Sequence, residues 1–310
     1  MNVIVPITVT AAMLSGSTSI AEPRSGVETA WSASSVNYVV GDVRIRSTTH
    51  RKYRCAVDHT SAASPLPEDD PTRWVDIGPT DLWAPFDIYT STQVRDVTYL
   101  KYVLRPGFFN AMALYGLAGF DYRLVVRDGP GGSIIFEREG FLTADPVGWY
   151  EYLFTTPATV SKLVFNDIPL RPDPEVTLEI NAATGEPVAI GMIVLGDFTP
   201  LITSAPWGGT EYGATAEPIT YSYINQREDG TTEIVRRHAA TNMRVSVTMP
   251  RAYADAAVQI VQRVLDVPVA WIATTAEGYA GLNTFGIGSG SMNYDSFGTA
   301  KLSITVKGLI

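Results

Sequence analysis

Apolar and polar positions alternate in short bursts along most of this chain, and the bursts are separated by glycine- and proline-rich turns. That is the pattern of strands with one buried face. At the start, Val3, Val5, Ile7 and Val9 interleave with Asn2, Ile4, Pro6, Thr8 and Thr10. The first positive charge is Arg24, and Pro6 and the threonines interrupt any apolar helix. A secretory leader is therefore not indicated, and an extended arm or edge strand is expected. Residues 11–27, rich in Ala, Ser and Gly, read as a linker.

Three further units follow. Residues 28–80 carry short strand patterns at 38–40, 43–46 and 52–57, broken by Gly41-Asp42 and by 47–50, then an acidic loop between Pro65 and Pro71 and finally Trp74. Residues 81–201 carry seven patterns, at 97–104, 122–127, 133–137, 149–154, 162–165, 176–180 and 188–195. Asp128-Gly129-Pro130-Gly131-Gly132 is a strong hairpin turn within them. The segment around Phe108 and Tyr115 reads as loop.

Residues 202–310 change character. Strand patterns at 219–225 and 232–237 flank a Glu228-Asp229-Gly230 turn, and 244–248 alternates again. Pro250 opens the one convincing helix, 250–265, in which Tyr253, Ala257, Ile260, Val261 and Val264 recur at helical spacing as a core stripe. Strands at 269–274 and 301–307 close the chain around a Gly/Ser-rich loop at 286–291. The expected fold is mainly β: a small three-stranded β module, a jelly-roll β-sandwich, and a C-terminal α+β oligomerisation or docking domain with one helix.

Composition narrows the function classes. With 45% hydrophobic and 18% charged residues the chain has the means to build folded cores. A net charge of −9, with no basic cluster, argues against nucleic acid and anionic lipid as partners. No apolar run is long enough to insert in a membrane. The single cysteine, Cys55, excludes an intramolecular disulfide and a cysteine-based zinc site. It alternates with Tyr53 and Val57, which predicts a buried strand position and assembly in a reducing compartment.

No catalytic constellation emerges. His50, His59 and His238 lie apart, without metal-ligand spacing. Gly288-Ser289-Gly290-Ser291 lacks the strand–turn–helix context of a nucleophile elbow and the lysine of a phosphate loop. Glu137 and Glu139 share a strand face, and Glu68, Asp69 and Asp70 crowd one loop, but solvated surface charge explains both. No enzyme, cofactor or metal site is therefore assigned. A polysaccharide depolymerase would call for long repetitive strands or a clear acid pair, and neither is present.

The aromatics of the first module carry more weight. Trp31, Tyr38, Tyr53 and Trp74 are candidate carbohydrate-binding residues, because flat aromatic faces stack on sugar C–H groups. They are equally candidates for the core that so small a module requires.

Those residues also carry a resemblance. Trp31…Tyr38-x-x-Gly41-Asp42…Tyr53…Pro65…Trp74 resembles the small carbohydrate-binding modules attached to chitinases and cellulases. The continuation Gly78-Pro79-Thr80-Asp81-Leu82-Trp83-Ala84-Pro85-Phe86-Asp87 is similar to a run in tail proteins of tailed bacteriophages, where such a module joins a β-sandwich. The opening Pro6-Ile7-Thr8-Val9-Thr10-Ala11-Ala12-Met13-Leu14 resembles the start of the same family. So do Gly209-Thr210-x-Tyr212-Gly213, Tyr221-Ser222, Asp229-Gly230, Trp271-Ile272 and the closing Gly308-Leu309. Two positions depart from the pattern. Arg44 and Arg46 make the strand after Gly41-Asp42 unusually basic, and Pro85 stands where a methionine is expected.

The resemblance implies a virion structural protein of the tail tip or baseplate, made in the bacterial cytoplasm. It implies a homo-oligomer, with a trimer favoured, that contacts other tail or baseplate proteins and takes part in host attachment. The alternative is a glycan-binding receptor-recognition protein that uses the 28–80 module as its reader.

Overall fold

In the computed structural model all residues are described except 147, 156–157, 203–204, 227–229, 277 and 310. The fold is mainly β with a curled antiparallel sheet and one substantial helix near the C-terminus, as the sequence predicts.

Strand β1 (Asn2–Pro6) departs from expectation. It is not an edge strand or a free arm, because it pairs on both sides with strands from far along the chain. Val3 and Ile4, on opposite faces, are both fully buried. Burial on both faces produces the unbroken run Val3-Ile4-Val5 rather than strict alternation. The segment after it is not a loose linker throughout.

In the small module, β2 (Asn37–Tyr38) pairs with β5 (His59–Thr60), while β3 (Val43–Arg46), β4 (Arg51–Cys55) and β6 (Trp74–Pro79) form a three-stranded sheet. The expected 38–40 strand thus lies outside that sheet, and β6 supplies its third strand. Cys55 is buried on β4, as its alternation predicts.

The sandwich follows as β7 (Val94–Val97), β8 (Tyr99–Leu104), β9 (Ala111–Tyr115), β10 (Asp121–Arg127), β11 (Ile134–Phe141), helix α1 (Trp149–Phe154), β12 (Lys162–Phe165), β13 (Glu175–Asn181), β14 (Pro187–Ile190) and β15 (Met192–Pro200). A sheet ordered β11-β10-β13-β8 faces the layer containing β12, β9 and β15. Leu100, Tyr102, Leu124 and Leu178 from the first sheet pack with Met112, Leu114, Ile193 and Leu195 from the second. The exposed edge of β8 is covered by the segment after β1. Ser15 N–H donates to the Val103 carbonyl and Ser19 N–H to the Lys101 carbonyl, both at 2.9 Å, which blunts an edge that could otherwise recruit foreign strands.

Three expectations fail within this unit. The 149–154 run is a helix, closed by Tyr152 N–H to the Gly148 carbonyl and Thr155 N–H to the Glu151 carbonyl. Among the described residues no strand pairs with this run, and local i→i−4 bonds prevail over aromatic β propensity. The 108–115 region holds strand β9, all five of whose residues are buried. The 188–195 pattern is two strands, which part at Gly191 to pair with β7 and β9 respectively. A Cβ there would sit 2.9 Å from the Thr90 carbonyl oxygen.

The remaining elements are β16 (Gly209–Thr210), β17 (Thr215–Thr220), β18 (Tyr223–Gln226), β19 (Thr232–Val235), β20 (Ala239–Pro250), α2 (Ala254–Arg263), β21 (Val269–Ile272), β22 (Asn283–Asn293) and β23 (Thr299–Gly308). A hairpin is present where expected, but the 219–225 pattern divides between β17, which pairs with β20, and β18, which pairs with β19; turn residues Glu228 and Asp229 lie outside the described residues. The 286–291 stretch is not a loop but the middle of β22. Its glycines mark where other groups crowd the strand: a Cβ on Gly288 would lie 2.2 Å from the Trp271 ring, and one on Gly290 would lie 3.2 Å from Val261 of α2.

One sheet runs β12-β9-β15-β1-β21-β22-β23-β20-β16, with β17 also on β20. Strand β1 therefore joins the sandwich to the closing unit. One face of the closing part packs on α2, through Val261, Leu302, Ile304 and Trp271. The opposite face around β1 buries Ile4, Ala113, Tyr115, Val194, Ala270 and Phe285. Tyr115 of β9 and Phe285 of β22 have ring centroids 6.3 Å apart. In a flat sheet four strand spacings would separate them by about 19 Å, so the sheet curls strongly on itself.

Candidate functional site: the aromatic module and the exposed apolar surfaces

The structure brings the four candidate sugar-stacking residues together, but as a core. Tyr38, Tyr53 and Trp74 are buried alongside Cys55, and only Trp31 is half-buried at the margin. Tyr38 meets Trp74 edge-on at 5.1 Å, and His59 meets Trp74 edge-on at 5.3 Å. The Tyr38 hydroxyl accepts from Ser32 N–H at 2.9 Å, which anchors the incoming chain. Burial pushes the Cys55 thiol above its ordinary value, so Cys55 is a packing residue rather than a nucleophile.

Arg44 and Arg46, the two departures from the resemblance, explain why little aromatic face remains. They alternate along β3 and so reach one side of the sheet. The Arg44 guanidinium lies 5.2 Å from the Tyr38 ring centre and that of Arg46 lies 5.1 Å from the Trp31 ring centre. Arg46 is held there by two bonds to Glu68, at 3.0 and 3.1 Å. Burial of the Glu68 carboxyl works against its ionisation, but the Arg46 bonds prevail and hold it below its ordinary range.

This arrangement separates the roles by mutation. Trp74→Ala is expected to cost about 3–5 kcal/mol, the usual loss for a buried large aromatic, and to unfold the module. Trp31→Ala is expected to cost about 1 kcal/mol, the size of a marginal aromatic–cation contact. Urea denaturation followed by tryptophan fluorescence measures both, and equal small losses would show that Trp74 is not core.

Large apolar groups do reach the surface elsewhere. In α1, Trp149 is 81% exposed, and Tyr150, Tyr152, Leu153 and Phe154 are all exposed. Trp149 and Tyr152 meet edge-on at 6.3 Å and, with Pro146 and Gly148, line a shallow cleft. The second surface is the β18–β19 hairpin, whose described strand residues are exposed throughout. Tyr223 stands opposite Val235 and Ile224 opposite Ile234. Residues directly opposite share a face, so each face carries its own apolar pair. Neither surface was legible as such from sequence. The dense 149–154 aromatic run is the one available signal, and it reads equally well as a strand.

Among the described residues, no group of three or more His, Cys, Asp or Glu side chains could hold a metal ion. No described helix is long and apolar enough to cross a membrane. Compared with known proteins, the chain matches no family model, no curated protein and no solved structure.

Proposed function

We propose that this chain is a structural protein of a phage tail tip or baseplate, and that it assembles with further copies of itself through the β18–β19 hairpin. The observation that carries the reading is that hairpin, which presents one exposed apolar pair on each face. A two-stranded ribbon is marginally stable alone in water. One with Tyr223 and Val235 on one face and Ile224 and Ile234 on the other gains most when both faces are covered. The tail resemblance of the sequence supplies the class of assembly, in which a trimer is favoured and other tail proteins are the neighbours. In this reading the protein resides in the virion tail and acts without chemistry of its own.

Light scattering after size exclusion tests the assembly. The unmodified protein is expected to run as an oligomer and Ile224→Ser with Ile234→Ser as a monomer. Stability of the isolated fold should change by less than about 1 kcal/mol, since exposed substitutions cost little. A monomeric unmodified protein, or an unchanged oligomer in the double variant, would overturn the reading.

The exposed Trp149 and Tyr152 favour a second role, attachment to a host-surface glycan by aromatic stacking. Glycan-array binding lost in Trp149→Ala and kept in Trp31→Ala would place that role on α1 rather than on the 28–80 module.

A further inference from the structure

Between β11 and β12 the chain leaves the sandwich and returns on a narrow neck. Ala144 N–H donates to the Ala158 carbonyl and Val160 N–H to the Leu142 carbonyl, both at 2.8 Å, and Thr143 bridges Thr159. Helix α1 belongs to the excursion beyond that neck, and none of its residues is buried. Trp149, Tyr150, Tyr152, Leu153 and Phe154 are each between 62% and 81% exposed. Apolar surface concentrated in this way is costly in water and marks an interaction site.

The spread of these side chains around the helix limits what can cover them. Trp149 and Tyr152 meet edge-on at 6.3 Å on one side, and Tyr150 and Phe154 meet at 5.4 Å on the other. With about 100° between successive residues, the five span an arc of about 200° that leaves out only Glu151. A helix seated in a protein groove presents a stripe of about 100°. A groove would therefore take one aromatic pair and leave the other in water. A medium into which the helix sinks takes both. On a helix about 10 Å across, a 200° arc corresponds to immersion just past the axis, about 6 Å. Interfacial helices enter a lipid leaflet by about 5–10 Å.

The residue types fit the same medium. Trp and Tyr rings, apolar with one polar edge, favour the boundary between head groups and acyl chains. From Glu139 to Ser161 there is no Lys or Arg, while Glu139, Asp145 and Glu151 are acidic, so an anionic surface repels the segment. Six residues rise only about 9 Å against about 30 Å of hydrocarbon, so the helix lies in the interface and does not span. We infer that α1 is a membrane-surface anchor, which inserts its aromatic arc into one leaflet of a zwitterionic bilayer. The inference is independent of the tail reading, since it rests on α1 and not on the β18–β19 hairpin. It uses the whole arc, where a stacked sugar would use one or two rings.

Flotation of the full chain with phosphatidylcholine vesicles tests it. The protein is expected to float with them, and lipids brominated near the head groups are expected to quench its tryptophan fluorescence more than lipids brominated at the chain ends. Tyr150→Ser with Phe154→Ser removes the pair that a groove would leave in water. That variant is expected to partition about tenfold more weakly or less, with an unchanged melting temperature, since exposed substitutions cost little. Ile224→Ser with Ile234→Ser is expected to float still, and added phosphatidylserine to weaken flotation. Absence of flotation, flotation unchanged in Tyr150→Ser with Phe154→Ser, flotation lost only in the hairpin variant, or flotation strengthened by phosphatidylserine would each overturn the inference. So would an oligomer that dissociates in Tyr150→Ser with Phe154→Ser when the unmodified protein binds no vesicles, which would assign α1 to a second copy.

Discussion

A chain lacking residues 1–9 is expected to lose cooperative unfolding in the sandwich and in the closing unit together. Strand β1 is hydrogen-bonded to β15 on one side and to β21 on the other. Its deletion therefore leaves two interior strand edges without partners, each a row of buried N–H and C=O groups. Val3 and Ile4 are fully buried, and their side chains alone contribute about 3–6 kcal/mol by area. That is a large share of a typical 5–15 kcal/mol domain stability. Circular dichroism melting and limited proteolysis measure the outcome. A sharp melt at the unmodified temperature would mean that β1 is dispensable, as a free arm would be.

Gly288→Ala is expected to cost about 3 kcal/mol, at the upper end for overpacking a filled core. The new methyl would lie 2.2 Å from Cζ2 of Trp271. The ring is fully buried, and its Nε1–H donates to the Gly286 carbonyl at 3.1 Å, so it has little room to retreat. Gly298→Ala provides the control, with no atom within 4 Å of its added methyl, and is expected to change stability by less than about 0.5 kcal/mol. Guanidinium unfolding of the two variants side by side decides the matter. Similar midpoints would return 286–291 to the flexible loop that its composition suggests.

Gly286, Gly288 and Gly290 show why that stretch misleads. In a strand they lie on one face, and what they contribute is space, for the Lys307 carbonyl, Trp271 and Val261 in turn. Periodicity measures a difference between two faces, and a face of hydrogens has no apolar signal to read. Strands β1 and β9 are hidden for the opposite reason. Both of their faces are buried, so Val3-Ile4-Val5 and Ala111-Met112-Ala113-Leu114-Tyr115 do not alternate. In Trp149–Phe154 the side chains favour a strand and the backbone forms a helix, since among the described residues no strand pairs with it.

The candidate site divides along the same line. An aromatic suits a core and a sugar equally well, and what decides between them is which groups cover its faces. Arg44 and Arg46 do that in the folded module.

By itself the sequence determined what depends on neighbours along the chain. That includes the dominance of strands, the bounds of β3 and β12, the α2 stripe, the β18–β19 hairpin and the burial of Cys55. Each follows from alternation, helical spacing or turn chemistry within about a dozen residues. Tertiary structure alone decided that β1 joins two units, that the module's aromatics face inward, and that a glycine-rich stretch is a packed strand. Those outcomes depend on which distant surface lies against each face, and local pattern carries no record of that.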